Sequence, residues 1–171
     1  GLGIIDGDAI ALQFWTGAIS PWAHTNTVLG LRPDLQTSAM GRAYLANCPP
    51  EELEKHLERF TNDPARNFGP PEERRFRQLL ERARKDGYAV RDPRTRPYRT
   101  TTLAMALHEG NQVRAVISIS FYKTAIPVNK IAERIVAPLR ATCQHIEQAF
   151  AVVNSGEGSS EANSFDNHMG F

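Results

Sequence analysis

Residues 103–120, LAMALHEGNQVRAVISIS, limit what this chain can fold into more than any other stretch. They read as two β-strands joined by a turn at Glu109-Gly110-Asn111, where Gly and Asn tolerate positive φ. Late in the second arm the side chains alternate. Ile117 and Ile119 face one way, Ser118 and Ser120 the other. Thr100, Thr101 and Thr102 add hydroxyls on the neighbouring strand. Two readings fit. The hydroxyl face is solvated, as in many half-exposed sheets, or it lines a small polar cavity.

Upstream, residues 3–6 and 9–15 read as a second hairpin around Asp6-Gly7-Asp8. The opening residues look like a strand already under way and carry no signal-peptide pattern, which suggests a fragment with a segment missing upstream. Residues 16–24 read as a loop bearing an exposed Trp22, and residues 24–31 as another strand, closed by Gly30 and Pro33. Large aromatics are chiefly burial residues, so Trp15 and Trp22 belong first to a core. The sharper reading makes them an aromatic wall or lid for a ligand.

Thr37-Ser38 precedes AMGRAYLAN and supplies a hydroxyl to cap a helix start. Met40, Ala43, Tyr44 and Asn47 would fall along one side of that helix. Its small residues, Ala39, Gly41, Ala43 and Ala46, would let another backbone approach closely. The free N–H groups and partial positive charge at its start would suit an anion. Two further helices open on Pro49-Pro50-Glu51-Glu52 and Pro70-Pro71-Glu72-Glu73, with Pro and acid in the first turn. Acidic and basic residues balance across 51–86, so these helices present solvated faces laced with i, i+4 pairs. Phe76, Leu79, Leu80 and Ala83 form the buried stripe of the second, and Gly87 closes it.

Residues 88–90 read as a short strand. RDPRTRPYR follows at 91–99, with four arginines and one aspartate. Such a loop is either an anion-recognition site, because guanidinium pairs carboxylate in a planar, bidentate fashion, or simply a soluble loop. From Asn129 a helix runs to about Val153, with Ile131, Ile135, Leu139, Ile146 and Phe150 in step. Pro138 predicts a kink or break near Val136. The expected division is one domain over 1–153 and a polar, acidic, disordered tail over 154–171.

At 171 residues, 41% hydrophobic and 23% charged, the chain suits one soluble domain. A net charge of +1 gives no global field for nucleic acid, and no run is long enough to span a membrane. Cys48 and Cys143 read as reduced and buried, hence a cytoplasmic protein. The five histidines are scattered without metal-ligand spacing, so neither a metal nor another cofactor is expected.

Several of these pieces follow one order. Residues 37–46 (TSAMGRAYLA), Cys48-Pro49-Pro50-Glu51-Glu52, Ala83 to Ala89, Ala115 to Ser120 and the terminal helix together resemble the effector-binding domain of the IclR family of bacterial transcription regulators. The likeness covers about residues 3–152. It implies a GAF-like α/β (α+β) domain, with a curved antiparallel sheet flanked by helices and a long C-terminal helix. It also implies a homodimer or homotetramer, and DNA contact only through a separate N-terminal helix-turn-helix domain absent from these residues. It implies a pocket for a small carboxylate effector and no enzymatic activity.

By that resemblance Ser118 and Ser120 match pocket serines, and Thr101 matches a neighbouring ligand position. Ala39 and Met40 would offer backbone N–H groups. Arg91 stands where the family usually has an acidic residue, and Arg96-Pro97-Tyr98-Arg99 replaces a Gly-containing turn. A positive mouth suits a larger carboxylate, and Ser120-Phe121-Tyr122-Lys123 resembles the branch that senses aromatic acids. Arg91 or Arg99 would add charge, and Trp15 and Met40 would form apolar walls. The alternatives are a serine hydrolase using Ser118 or Ser120, which lacks a G-x-S-x-G elbow and an evident base, and an oligomerisation module with an empty pocket.

Overall fold

In the computed structural model, which describes residues 1–19 and 29–154, the central hairpin forms from β4 (Thr100–Glu109) and β5 (Gln112–Tyr122). Gly110 takes φ +58° in the turn between them, a conformation that glycine adopts without a Cβ penalty. β1 (Leu2–Asp6) pairs with β5, and β2 (Ala9–Phe14) pairs with β1 through the expected turn at Gly7. A two-residue β3 (Ala89–Val90) pairs with β4. The antiparallel sheet therefore runs β2-β1-β5-β4-β3.

The two faces of the sheet bury different sets. Ala104 and Val116, with Ile10 and Leu12, face α1 (Ala39–Asn47) and the aromatic cluster beyond it. Leu103, Met105, Leu107 and Ala115 face α4 (Ala137–Asn154). The ladder shifts register at Leu2/Gly3 between β1 and β2 and at Leu107/His108 between β4 and β5.

Expected to show one buried side, α1 is instead buried all round, from Ala39 to Ala46. It is a middle layer, with the sheet on one side and α3 (Pro70–Asp86) on the other. Its small residues make this fit. A Cβ on Gly41 would lie 2.3 Å from the Leu35 Cα and 2.4 Å from the Leu35 carbonyl oxygen. Beyond α1, α2 (Pro50–Asn62) contributes Phe60 and α3 contributes Phe76, and these two rings and Phe68 meet one another edge to face at 5.5–6.1 Å between ring centres. Burying each ring contributes about 1.5–3 kcal/mol.

The C-terminal segment is not one helix from Asn129. A 3-10 turn (Val128–Lys130) and a π-helical turn (Ala132–Val136) precede α4. The Ala137 N–H reaches back five residues to the Ala132 carbonyl. Pro138 has no N–H with which to continue an α-helical ladder there, so the break at Val136 has the expected cause.

Of the strand read over residues 24–31, residues 24–28 lie outside the described residues, as do Trp22 and the tail from residue 155. Leu29 and Gly30 form a turn rather than a strand. The segment still lies along the β2 edge, with Leu12 N–H donating to Leu31 O at 2.9 Å and Gly30 N–H to Leu12 O at 2.7 Å.

Candidate functional site

Ser118 and Ser120 point to the α1 face of the sheet, in line with Val116. Ser118 is half-buried beside Ala104, its register partner on β4, and Ser120 is exposed. The Ser118 backbone exchanges both bonds with Gly1 at 2.8 Å. Met40 reaches over that same strand start. Its Cε lies 3.6 Å from where a Cβ on Gly1 would sit, and its Sδ 3.3 Å from the equivalent position at Gly3.

Thr101 does not join this set. Counted outward from the turn, Glu109 faces Gln112 and His108 faces Val113, a register that would bring Thr101 opposite Ser120. The bulge then inserts one residue on β5, so Leu107 faces Ala115 and every later pair moves by one. Thr101 therefore sits opposite Phe121, on the α4 face with Leu103, and Thr102 sits opposite Ser120. The Thr102 and Ser120 hydroxyls are 2.9 Å apart. A single-residue slip exchanges faces because side chains alternate with period two. Thr102 could be found from sequence only by placing the bulge.

The start of α1 is heavily organised. Asp34 accepts from the Thr37 N–H and hydroxyl, both at 2.8 Å, and the Ser38 hydroxyl accepts from Gly41 N–H at 2.9 Å. Among the described residues nothing accepts from the N–H groups of Ala39 and Met40, the first two of the helix. Both side chains are buried.

Arg91 is not a free cation at a mouth. Its guanidinium donates to the carbonyls of Arg96 (2.7 Å), Pro97 (2.6 Å) and Thr100 (2.6 Å). Its Nε is buried without an acceptor, and burial lowers its pKa. The carbonyls of its own loop converge on it, so its charge holds the loop together. The loop's exposed positive residues are Arg94, Arg96 and Arg99, with Arg96 lying 6.0 Å from the Tyr98 ring centre and Arg94 paired to Asp92.

Asp92, the one acid among these arginines, is the anchor. Its N–H donates to Thr37 O at 2.8 Å, immediately before the α1 cap. Its carboxylate accepts from Arg94 (N–H 2.8 Å, Nη2 2.8 Å) and from Arg42 (Nη2 2.9 Å). Hydrogen bonding from Arg94, together with the nearby Arg42 charge, pulls its carboxyl down to about 2 against the cost of burial. Trp15 is half-buried, packs against the α1-face core and covers Gly17, where any Cβ would strike the indole.

Neither serine has a histidine partner among the described residues, so the base required by a serine nucleophile is missing there. Cys48 and Cys143 are free and buried, their thiols pushed up to about 12 and about 11 by desolvation first. Among the described residues no group of side chains could hold a metal ion, and no helix is long and apolar enough to cross a membrane.

An antiparallel sheet with a hydroxyl stripe beside a capped helix start, packed between α1 and α4, defines a mixed α+β domain of the kind found in bacterial transcription regulators. The family model described as Bacterial transcriptional regulator IclR C-terminal matches residues 17–148, and the chain belongs to that family. It is a family of effector-binding regulator domains, not of enzymes.

Solved structures carry the same fold. A transcriptional regulator of Rhodococcus sp. RHA1 superposes with TM-score 0.71 at 22% identity, covering 90% of this chain and 62% of that one. IclR of Thermotoga maritima gives 0.66 at 24% identity, over 87% and 60%. An IclR homologue from Microbacterium hydrocarbonoxydans, complexed with 4-hydroxybenzoate, gives 0.65 at 21% identity, over 88% and 60%. The chain thus spans less than two thirds of each of these relatives.

Proposed function

We propose that this domain senses a small, aromatic carboxylate in the cytoplasm and thereby tunes DNA binding by a helix-turn-helix domain of the full-length regulator, which works as a homodimer or homotetramer. The observation that carries the reading is the pairing of Ser120 with Thr102, beside half-buried Ser118, on the face that also holds the start of α1. Hydroxyls and the unaccepted N–H groups of Ala39 and Met40 suit a carboxylate; Met40 and Trp15 suit the body of an aromatic ring. Arg99, not Arg91, is the arginine left to add charge. The 4-hydroxybenzoate complex of the Microbacterium homologue supports the aromatic class. Such a ligand acts on DNA affinity only by binding two conformations unequally.

Isothermal titration calorimetry with substituted benzoates and short aliphatic acids tests the reading. The expected result is saturable heat with benzoates, weakened by Ser118→Ala, and no turnover. Absence of heat with every acid would leave an oligomerisation module, and ester turnover abolished by Ser118→Ala would leave a hydrolase.

A further inference from the structure

The loop of residues 91–99 turns one sign of charge outward. Arg94, Arg96 and Arg99 are exposed, and Tyr98 among them is 55% exposed. Lys123 is exposed across the open end of the hairpin, its N–H donating to Arg99 O at 3.0 Å. Like charges placed opposite each other are destabilising, so this end of the sheet keeps its cations together at a cost. Asp92, the loop's own acid, is buried and matched by buried Arg42. Among the described residues, the other carboxylate within ion-pair reach of these four cations is Glu72, 3.6 Å from Arg94 Nη2 and shared with Arg75 at 3.7 Å. Residues 20–28 contain no Asp or Glu. Positive charge is therefore in excess on this surface.

The loop is also fixed in shape. Arg91 gathers the carbonyls of Arg96, Pro97 and Thr100. Thr95 donates its N–H (3.1 Å) and its hydroxyl (2.7 Å) to Asp92 O, and the Thr100 hydroxyl donates to Pro97 O at 3.2 Å. Asp92 joins this frame to Thr37 O and to Arg42 of α1. A buried ion pair is weak evidence for stability, because apolar side chains of like volume often do as well. What the network does is hold the exposed side chains on one frame. Ordering a loop is a main cost of association, and here the backbone is ordered before a partner arrives.

The side chains select the partner. Excess guanidinium selects an anion, and its planar fork matches a carboxylate. Arg96 lies 6.0 Å from the Tyr98 ring centre, so charge and aromatic surface adjoin. Arg and Tyr are the residue types that anchor protein interfaces. A DNA duplex fits less well. Phosphate binding draws on many cations at once, the net charge of the chain is +1, and the Tyr98 ring offers apolar surface that a row of phosphates does not use.

We propose that the outer side of loop 91–99 is a docking surface for an acidic segment of another protein, whose carboxylates pair with Arg94 and Arg96 and whose apolar side chain lies on Tyr98. None of these three residues serves the effector reading, so the two stand separately.

The test is fluorescence anisotropy of the whole chain with a short labelled peptide of alternating aspartate and phenylalanine. The matched probes are the same peptide with asparagine for aspartate, and a short labelled DNA duplex. Expected is saturable binding of the acidic peptide, weakened by salt, with little response from the other two. Arg96→Ala and Tyr98→Ala, both exposed changes, each weaken it about fivefold. Lys55→Ala, an exposed cation on α2, leaves it unchanged. Equal binding of the asparagine peptide, tighter binding of the DNA, full affinity in Arg96→Ala and Tyr98→Ala, or an equal loss in Lys55→Ala overturns the proposal. Benzoate binding is read on the same variants and is expected to stay at the parent's level, so failure of one site is distinguished from failure of the other.

Discussion

Arg42 on α1 and Asp92 in the 91–99 loop form an ion pair 2.9 Å long, with both residues sealed from solvent at 5% and 3% exposure. Arg42 is satisfied on every side, with Nε donating to Gln36 O at 2.8 Å and Nη1 to Val90 O at 3.1 Å. The pair ties α1 to the arginine loop, and the bond to Val90 O ties it to the strand that precedes that loop. Removing one partner would leave a buried charge without compensation. Asp92→Asn should therefore cost about 3–5 kcal/mol of stability, measured as a lower urea midpoint. A double change of Arg42→Met with Asp92→Leu should cost much less than the sum of the single changes.

The same carboxylate sets an acid limit. Its folded pKa, about 2, lies below the ordinary value of 3.8. Its stabilisation is thus present above pH 4 and is lost as pH falls toward 2. The difference corresponds to about 2 kcal/mol. Urea titrations at pH 5 and pH 2.5 should show this loss in the parent, and a flatter dependence in Asp92→Asn.

His56 adds a second pH effect at higher pH. Desolvation first lowers its pKa below 6.5, so the unfolded chain binds the proton more readily than the folded one. Stability then rises with pH up to about 6.5 and is lost on acidification below it. His56→Phe should remove this slope between pH 5 and 7.5, seen as a nearly constant difference between urea midpoints. A slope equal to the parent's would refute the assignment.

Gly41 is a packing requirement. With the Leu35 backbone 2.3 Å from the site of a new Cβ, Gly41→Ala must displace α1 or residues 34–36. The expected cost is about 2 kcal/mol or more, despite the higher helix propensity of alanine. A melting temperature at or above the parent's would show that this contact yields freely.

The register gives a paired test of the hydroxyl stripe. Thr102→Val should weaken carboxylate binding by about one hydrogen bond's worth, near fivefold. Thr101→Val, one residue away on the other face, should leave it unchanged. Equal effects would mean that the binding surface is not the α1 face.

Much of the architecture was legible in the chain. Both hairpins, the start of α1 at Ser38, the Pro-Glu openings of α2 and α3, the Gly87 close and the break before Pro138 are local events. Each is set by φ preferences, capping hydroxyls or a missing N–H within a few residues. The two serines sharing one strand face was legible for the same reason, since alternation along one strand needs no partner.

Long-range facts were not. Whether Thr101 or Thr102 stands beside Ser120 depends on one inserted residue at Leu107/His108. That Arg91 is spent on its own loop and that Asp92 answers Arg42 fifty positions earlier both require the chain to close on itself in ways its local pattern does not show. Sequence by itself determined where most of the strands and helices begin and end, because backbone torsions and nearest-neighbour hydrogen bonds act locally. Only the tertiary structure decided which charges are compensated and which polar atoms remain free, because burial and pairing depend on what the rest of the chain brings within about 3 Å.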